Sequence, residues 1–198
     1  MKKKTKRVVR AALIGALYAV LSLAAFPVAS GAIQFRISEG LTLLPLVFPE
    51  AIVGVFAGCI VTNLITGCMW IDTVFGSIIT LFAATLTFWT GKLLKKTWLK
   101  ILIGGLFPVL FNAFLLPLVW TFCYGLEYTY FVQVAFLLLG EGVSVYAVGI
   151  PIILAVNKYL KSVISGKKKQ VTESNETDKI LPCEKEESCF DKKEESKK

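Results

Sequence analysis

No histidine occurs in these 198 residues, which removes both the commonest general base and the commonest metal ligand. The five cysteines build no substitute framework. Cys59, Cys68 and Cys123 lie in or near apolar segments, where they act as small hydrophobes, and Cys183 and Cys189 lie in a charged tail without a histidine partner. No metal centre is expected. A G-x-x-x-x-G-K-[ST] loop is also missing, so the chain has no phosphate cradle of its own. Without histidine, nucleophile–base pairs are hard to assemble and an enzyme has few candidates. Acids are scarce too: before Gly166 there are only Glu39, Glu50, Asp72, Glu127 and Glu141, against thirteen Lys and Arg.

That imbalance accounts for the formal charge of +8, since the tail after Ser165 holds nine Lys and nine Asp or Glu. Twelve of the thirteen remaining cations fall in three clusters. These are Lys2 to Arg10, then Lys92, Lys95, Lys96 and Lys100, then Lys158 and Lys161. Clusters at the ends of apolar runs follow the positive-inside rule and orient a protein in a membrane. They do not form a phosphate-binding groove, so nucleic acid is not an expected partner.

What is abundant is apolar surface: 55% of residues are hydrophobic and the mean hydropathy is +0.66. The expected class is an all-α integral membrane protein with the lipid bilayer as its solvent. The start, "MKKKTKR" followed by apolar residues and "PVASGA", has the look of a secretory signal. Its apolar region from Val8 to Phe26 exceeds the usual length of such a signal, so a retained first helix is expected.

Clear apolar spans run over about 8–28, 72–91, 99–122 and 131–157. If the three basic clusters are all cytoplasmic, an odd number of crossings must link residue 30 to residue 92. The ambiguous stretch 40–67 must then supply two. It reads as a short helix from about Glu39 to Phe48, a turn at Pro49-Glu50, and a helix from about Ala51 to Thr66. Six transmembrane helices result, the second one short, with both termini cytoplasmic. A helix of ~10 residues cannot cross ~30 Å at ~1.5 Å per residue, so it must lean on its neighbours or border a cavity. The domain reading is a basic N-terminus 1–7, a membrane domain 8–160, and a disordered cytoplasmic tail 161–198.

This threading gathers the polar residues in the outer half. Gln34, Phe35, Arg36 and Glu39 fall in or beside the first outer loop, Asn63 ends the third helix, and Trp70 and Asp72 start the fourth. Asn112 lies ~20 Å up the fifth helix and Glu141 ~15 Å deep in the last. An ionisable residue at such depth is a functional hypothesis by default. The plainer reading of Glu141 is a pair with Arg36, or a protonated buried acid. Asn63 and Asn112 can equally be interhelical glue, Asp72 a helix cap, and Trp70 part of an interfacial belt. Together, carboxylates, amides, a guanidinium and flat rings suit a small polar heteroaromatic molecule, including a cation. The first helix adds a stripe of small residues, Ala11, Gly15 and Ala19 with Ala12 and Ala16. Such a face packs another helix closely, either inside the chain or on a separate membrane protein.

"IQFRISEGLTLLP", "TNLITG", "DTVFGSIITLFAATLT", "PVLFNAFLLPLVW" and "LLGEGVSVYAVGIP" together resemble the QueT family of queuosine-precursor transporters, over about residues 8–160. These are substrate-binding S components of energy-coupling factor (ECF) transporters. The resemblance implies an S-component-like six-helix fold in a bacterial plasma membrane and uptake of a 7-deazaguanine precursor such as the 7-aminomethyl form. It also implies a transmembrane coupling subunit that docks on the small-residue face of the first helix, and two ATPase subunits. No cofactor is implied, ATP being used by the partners alone. Gly40 stands where the family leads one to expect a small residue such as alanine, and Cys68-Met69-Trp70 is bulkier than expected. A deazaguanine offers paired N–H donors to a carboxylate, a carbonyl to an amide, and flat faces for stacking. Glu39 and Glu141 are the expected carboxylates, with Asn63 and Asn112 as amides. A subunit for a different vitamin-like molecule, an intramembrane enzyme and a structural scaffold are the alternatives.

Overall fold

A computed structural model of the chain describes residues 3–29, 35–67, 69–125, 130–160 and 162. Gln34, Cys68, Glu127 and the tail beyond Ser162 lie outside them. Two compact units are present, Met1–Ile153 and Leu154–Lys198. In the second, the described residues Leu154–Leu160 are helical.

Among the described residues of the first unit there are helices and short connections and no strand. Helix α1 runs Lys3–Ala29, a 3-10 helix Ile37–Leu46, α2 Ala51–Ile65, α3 Trp70–Leu93, α4 Thr97–Tyr124 and α5 Tyr130–Val143, followed by a π-helical turn Ser144–Val148. Four stretches are long and apolar enough to cross a membrane: Lys4–Phe26, Trp70–Leu93, Thr97–Cys123 and Tyr130–Leu160. They correspond to the four clear spans of the sequence. Burial is inverted relative to a water-soluble protein. Leu13, Leu64, Phe82 and Leu102 are exposed, whereas Ser38, Glu39, Thr87 and Ser144 are fully buried. Hydrocarbon accepts the first set, while the second must find partners inside the protein.

Close contacts fix the direction of each helix. Small residues let α1 and α2 touch backbone to backbone: a methyl on Gly54 would stand 2.7 Å from the Ala11 carbonyl oxygen, and one on Gly58 2.7 Å from that of Gly15. Residue numbers rise together along this contact, so α1 and α2 run parallel. The chain must therefore return between them, and the 3-10 helix makes that return. Ser22 bonds to Ser38 at 2.6 Å near its start, and Leu46 at its end lies against Gly91 and Gly104. Asn63 near Gly76, then Trp120 bonded to Asp72, show α2–α3 and α3–α4 antiparallel. Tyr146 bonded to Leu102 shows the same for α4 and the turn after α5.

Prolines explain the irregular winding. The sequence reading placed an α-helix from about Glu39 to Phe48; the structure instead winds Ile37–Leu46 as a 3-10 helix with Pro45 inside it. In an α-helix the Pro45 ring would strike the carbonyl of Leu41. The Thr42 hydroxyl also donates to the Glu39 carbonyl, competing for an α-helical acceptor. In α4, Pro108 has no N–H for the carbonyl of Gly104, and the Thr87 hydroxyl of α3 donates to it instead at 2.8 Å. The turn Ser144–Val148 is π-helical and shortly precedes Pro151, which has no N–H to offer the carbonyl of Ala147.

The 3-10 helix and the π turn meet with almost no clearance. A methyl on Gly40 would lie 2.7 Å from Val148 Cβ and 3.0 Å from the Gly149 nitrogen. This accounts for glycine where the family resemblance led to a small residue such as alanine. Gly40→Ala is expected to lower stability by about 1–3 kcal/mol, the usual penalty of an overpacked methyl. Thermal unfolding in detergent measures it, and an unchanged midpoint would show that the backbone yields freely.

Candidate functional site

Five of the sequence candidates converge in the interior. Glu39 and Glu141 are each 1% exposed, Asn112 3% and Asn63 8%. Arg36 is half-buried at the N-terminal end of the 3-10 helix. In a 3-10 helix side chains three apart eclipse, so Arg36, Glu39 and Thr42 share one edge. The tight winding thereby puts a guanidinium beside a carboxylate that an α-helix would splay.

Glu39 receives the Tyr18 hydroxyl on Oε1 at 2.6 Å, and its Oε2 is buried with no hydrogen-bond partner. Glu141 hydrogen-bonds to Asn112, and its Oε2 is likewise buried and unpartnered. Arg36 interacts electrostatically with Glu141, Tyr18 and Glu39. Glu39 lies close enough to Glu141 to interact with it electrostatically. Two carboxyl oxygens aimed into a dry interior and left unbonded are costly, and a ligand with N–H donors would satisfy both.

The rest of the cluster had not been singled out from the sequence. Cys59 on α2 accepts from the Asn63 amide and from the Thr80 hydroxyl, each at 3.7 Å. Ser77 and Thr80 on α3 also bond back to the carbonyls of Thr73 and Gly76, at 2.6 and 2.9 Å. Back-bonding lets a helix carry hydroxyls through an apolar region. Tyr18 contributes from α1, where its ring lies against Gly58. A signal for these residues was present: Thr73, Ser77, Thr80 and Thr87 recur at three- to four-residue steps and more, and all four are buried.

Other candidates lie elsewhere. Gln34 is outside the described residues, and Phe35 is half-buried at their edge. Trp70 is 73% exposed on the outside of α3 and does not reach the cluster. Asp72 sits in the first turn of α3, whose cap position is Met69, and accepts the Trp120 indole N–H at 2.8 Å. It clasps α3 to α4. Glu50, at the start of α2, pairs with Arg10 at 2.9 Å.

The small-residue stripe of α1 divides in two. Gly15 and Ala19 are buried and Ala11 is half-buried, on the side that meets α2. Ala12 and Ala16 are exposed. They border an apolar groove of about 490 Å³ whose walls include Val8, Val53, Ala57 and Val61.

Comparisons with known proteins bear on this arrangement. The family model described as QueT transporter matches residues 8–158. The queuosine precursor transporter QueT of Lactococcus lactis subsp. cremoris (strain MG1363) is 31% identical over 107 residues. That alignment covers 48% of this chain and 63% of the relative, less than two thirds of its length. No solved structure matches.

Proposed function

The chain belongs to the QueT transporter family and is a multi-pass membrane protein, and on that premise we propose that it is the substrate-binding S component of an ECF-type importer. It captures a 7-deazaguanine queuosine precursor, such as the 7-aminomethyl form, from outside and delivers it inward. A transmembrane coupling subunit and two ATPases supply the energy. The observation that carries this reading is the pair of unpartnered carboxyl oxygens on Glu39 and Glu141, buried in one polar cluster. A deazaguanine has an amidine-like edge with adjacent N–H donors for one carboxylate, and an aminomethyl cation suits the other. Asn112 and Asn63 supply amides, and Cys59, Ser77 and Thr80 complete the polar lining.

The alternating helix directions support the six-crossing topology of this reading. Arg10 near the start of α1 meets Glu50 at the start of α2, so the first basic cluster and the Pro49-Glu50 turn share one end of the helices. Lys92 to Lys100, between α3 and α4, belong to that same end by the antiparallel order. In this reading that end is cytoplasmic, six helices cross alternately with both termini inside, and the carboxylates lie toward the outer face.

Binding decides the ligand class. The purified chain is expected to bind a deazaguanine precursor saturably and to ignore riboflavin, thiamine and biotin. Saturable binding of one of those vitamins in its place would make the chain an S component of different specificity. Binding of none would favour a scaffold or an enzyme.

A further inference from the structure

The buried polar cluster contains two carboxyls and one guanidinium, and with both carboxyls ionised their charges do not sum to zero. From the 3-10 helix come Glu39 and, at its start, Arg36; from α5 comes Glu141. The titratable groups that α1 and α2 add, the Tyr18 phenol and the Cys59 thiol, both face Glu39 and are weaker acids than a carboxyl. Helices α3 and α4 bring Ser77, Thr80 and Asn112, which do not titrate. With both carboxyls ionised, the cluster would carry one uncompensated negative charge on side chains that are 1% exposed. The cost of an unpaired buried charge amounts to several kcal/mol. A proton shared by the carboxyl pair removes it.

We propose that the buried Glu39–Glu141 pair holds one proton and that a cationic ligand displaces it, so that capture of the substrate is a proton-for-cation exchange. This rests on the proposed reading of the site as the seat of an aminomethyl deazaguanine. The balance is simple. One carboxyl O–H bond breaks, its proton leaves to the solvent, and the resulting carboxylate pairs with the ligand ammonium. Arg36 continues to offset the other carboxylate. The cluster is electrically neutral before and after, so neither state contains an isolated charge. Affinity for the cation therefore rises with pH up to the point where the carboxyl pair loses its proton unaided. An uncharged ligand of the same shape binds with the proton retained.

Titration calorimetry of the purified full-length chain tests this with two probes, 7-aminomethyl-7-deazaguanine and its uncharged 7-methyl counterpart. Each is titrated near neutral pH in buffers of widely different ionisation enthalpy. The expected slope of observed heat against buffer enthalpy corresponds to about one proton released per aminomethyl ligand and about none per methyl ligand, following the one-charge count of the site. Saturable binding of the aminomethyl compound with the same heat in every buffer overturns the exchange while leaving the site reading intact. Equal proton release with both probes also overturns it, since the proton would then respond to occupancy and not to charge. Absence of binding by either compound overturns the site reading itself, and the exchange with it.

Discussion

Glu141→Gln is expected to weaken binding of an aminomethyl deazaguanine at least ~100-fold while the protein stays folded. Glutamine has the shape of the protonated acid and keeps a partner for Asn112, whose bond to Glu141 joins α4 to α5. What disappears is the capacity to become negative when a cation arrives. Removing one member of a buried ion pair costs about 3–5 kcal/mol, which is more than two decades in affinity. An uncharged deazaguanine should suffer far less, because no charge has to be matched. Equilibrium binding of both compounds to wild type and variant, with thermal unfolding in parallel, measures all three quantities. Unchanged affinity for the aminomethyl compound would remove Glu141 from the site.

Ala12→Leu and Ala16→Leu are expected to do the opposite, abolishing uptake while binding stays within a fewfold of wild type. Both alanines are exposed on α1 and border the apolar groove against α2. Leucine there meets lipid in the isolated subunit at little cost, but it prevents the close helix approach that small residues permit. Gly15 does not serve for this test. A methyl there would stand 2.9 Å from the Gly54 carbonyl oxygen and would disturb α1–α2 packing within the chain. Uptake by cells expressing the coupling subunit and ATPases, compared with binding by purified protein, separates the two steps. If uptake survives both substitutions, the docking face lies elsewhere.

These two experiments draw on parts of the sequence that differed in how openly they could be read. Glu39, Asn112 and Glu141 stood out because charge or amide in an apolar run has few cheap explanations. The four long spans were equally plain, since hydrocarbon thickness sets their length. Tyr18, Cys59, Ser77 and Thr80 stayed hidden because hydroxyls, thiols and phenols are ordinary in membrane helices, where a back-bond can satisfy them locally. Only the fold shows that Tyr18 bonds to Glu39 and that Cys59 and Thr80 meet across α2 and α3. Trp70 was misleading for the complementary reason: an aromatic at a helix start suits a pocket or a lipid boundary, and its 73% exposure follows from rotation about α3, which composition does not encode. The small-residue stripe hid two different environments. Spacing alone made Ala11, Gly15 and Ala19 equivalent to Ala12 and Ala16, until α2 occupied the side of the first set. Nor could propensity foresee the 3-10 winding, which depends on Pro45, Thr42 and the pressure of Val148 on Gly40.

That winding also governs distance. At ~2.0 Å per residue, the ten residues Ile37–Leu46 extend ~20 Å, where an α-helix of equal length would extend ~15 Å. The segment is a strut stretched between two fixed ends. Its upper part holds Glu39 against Tyr18, and its foot is seated where methyls on Gly91 and Gly104 would fall 2.7 and 2.9 Å from Leu46 atoms. Rewinding the strut into an α-helix would shorten it by about a quarter, and one of the two ends would have to let go.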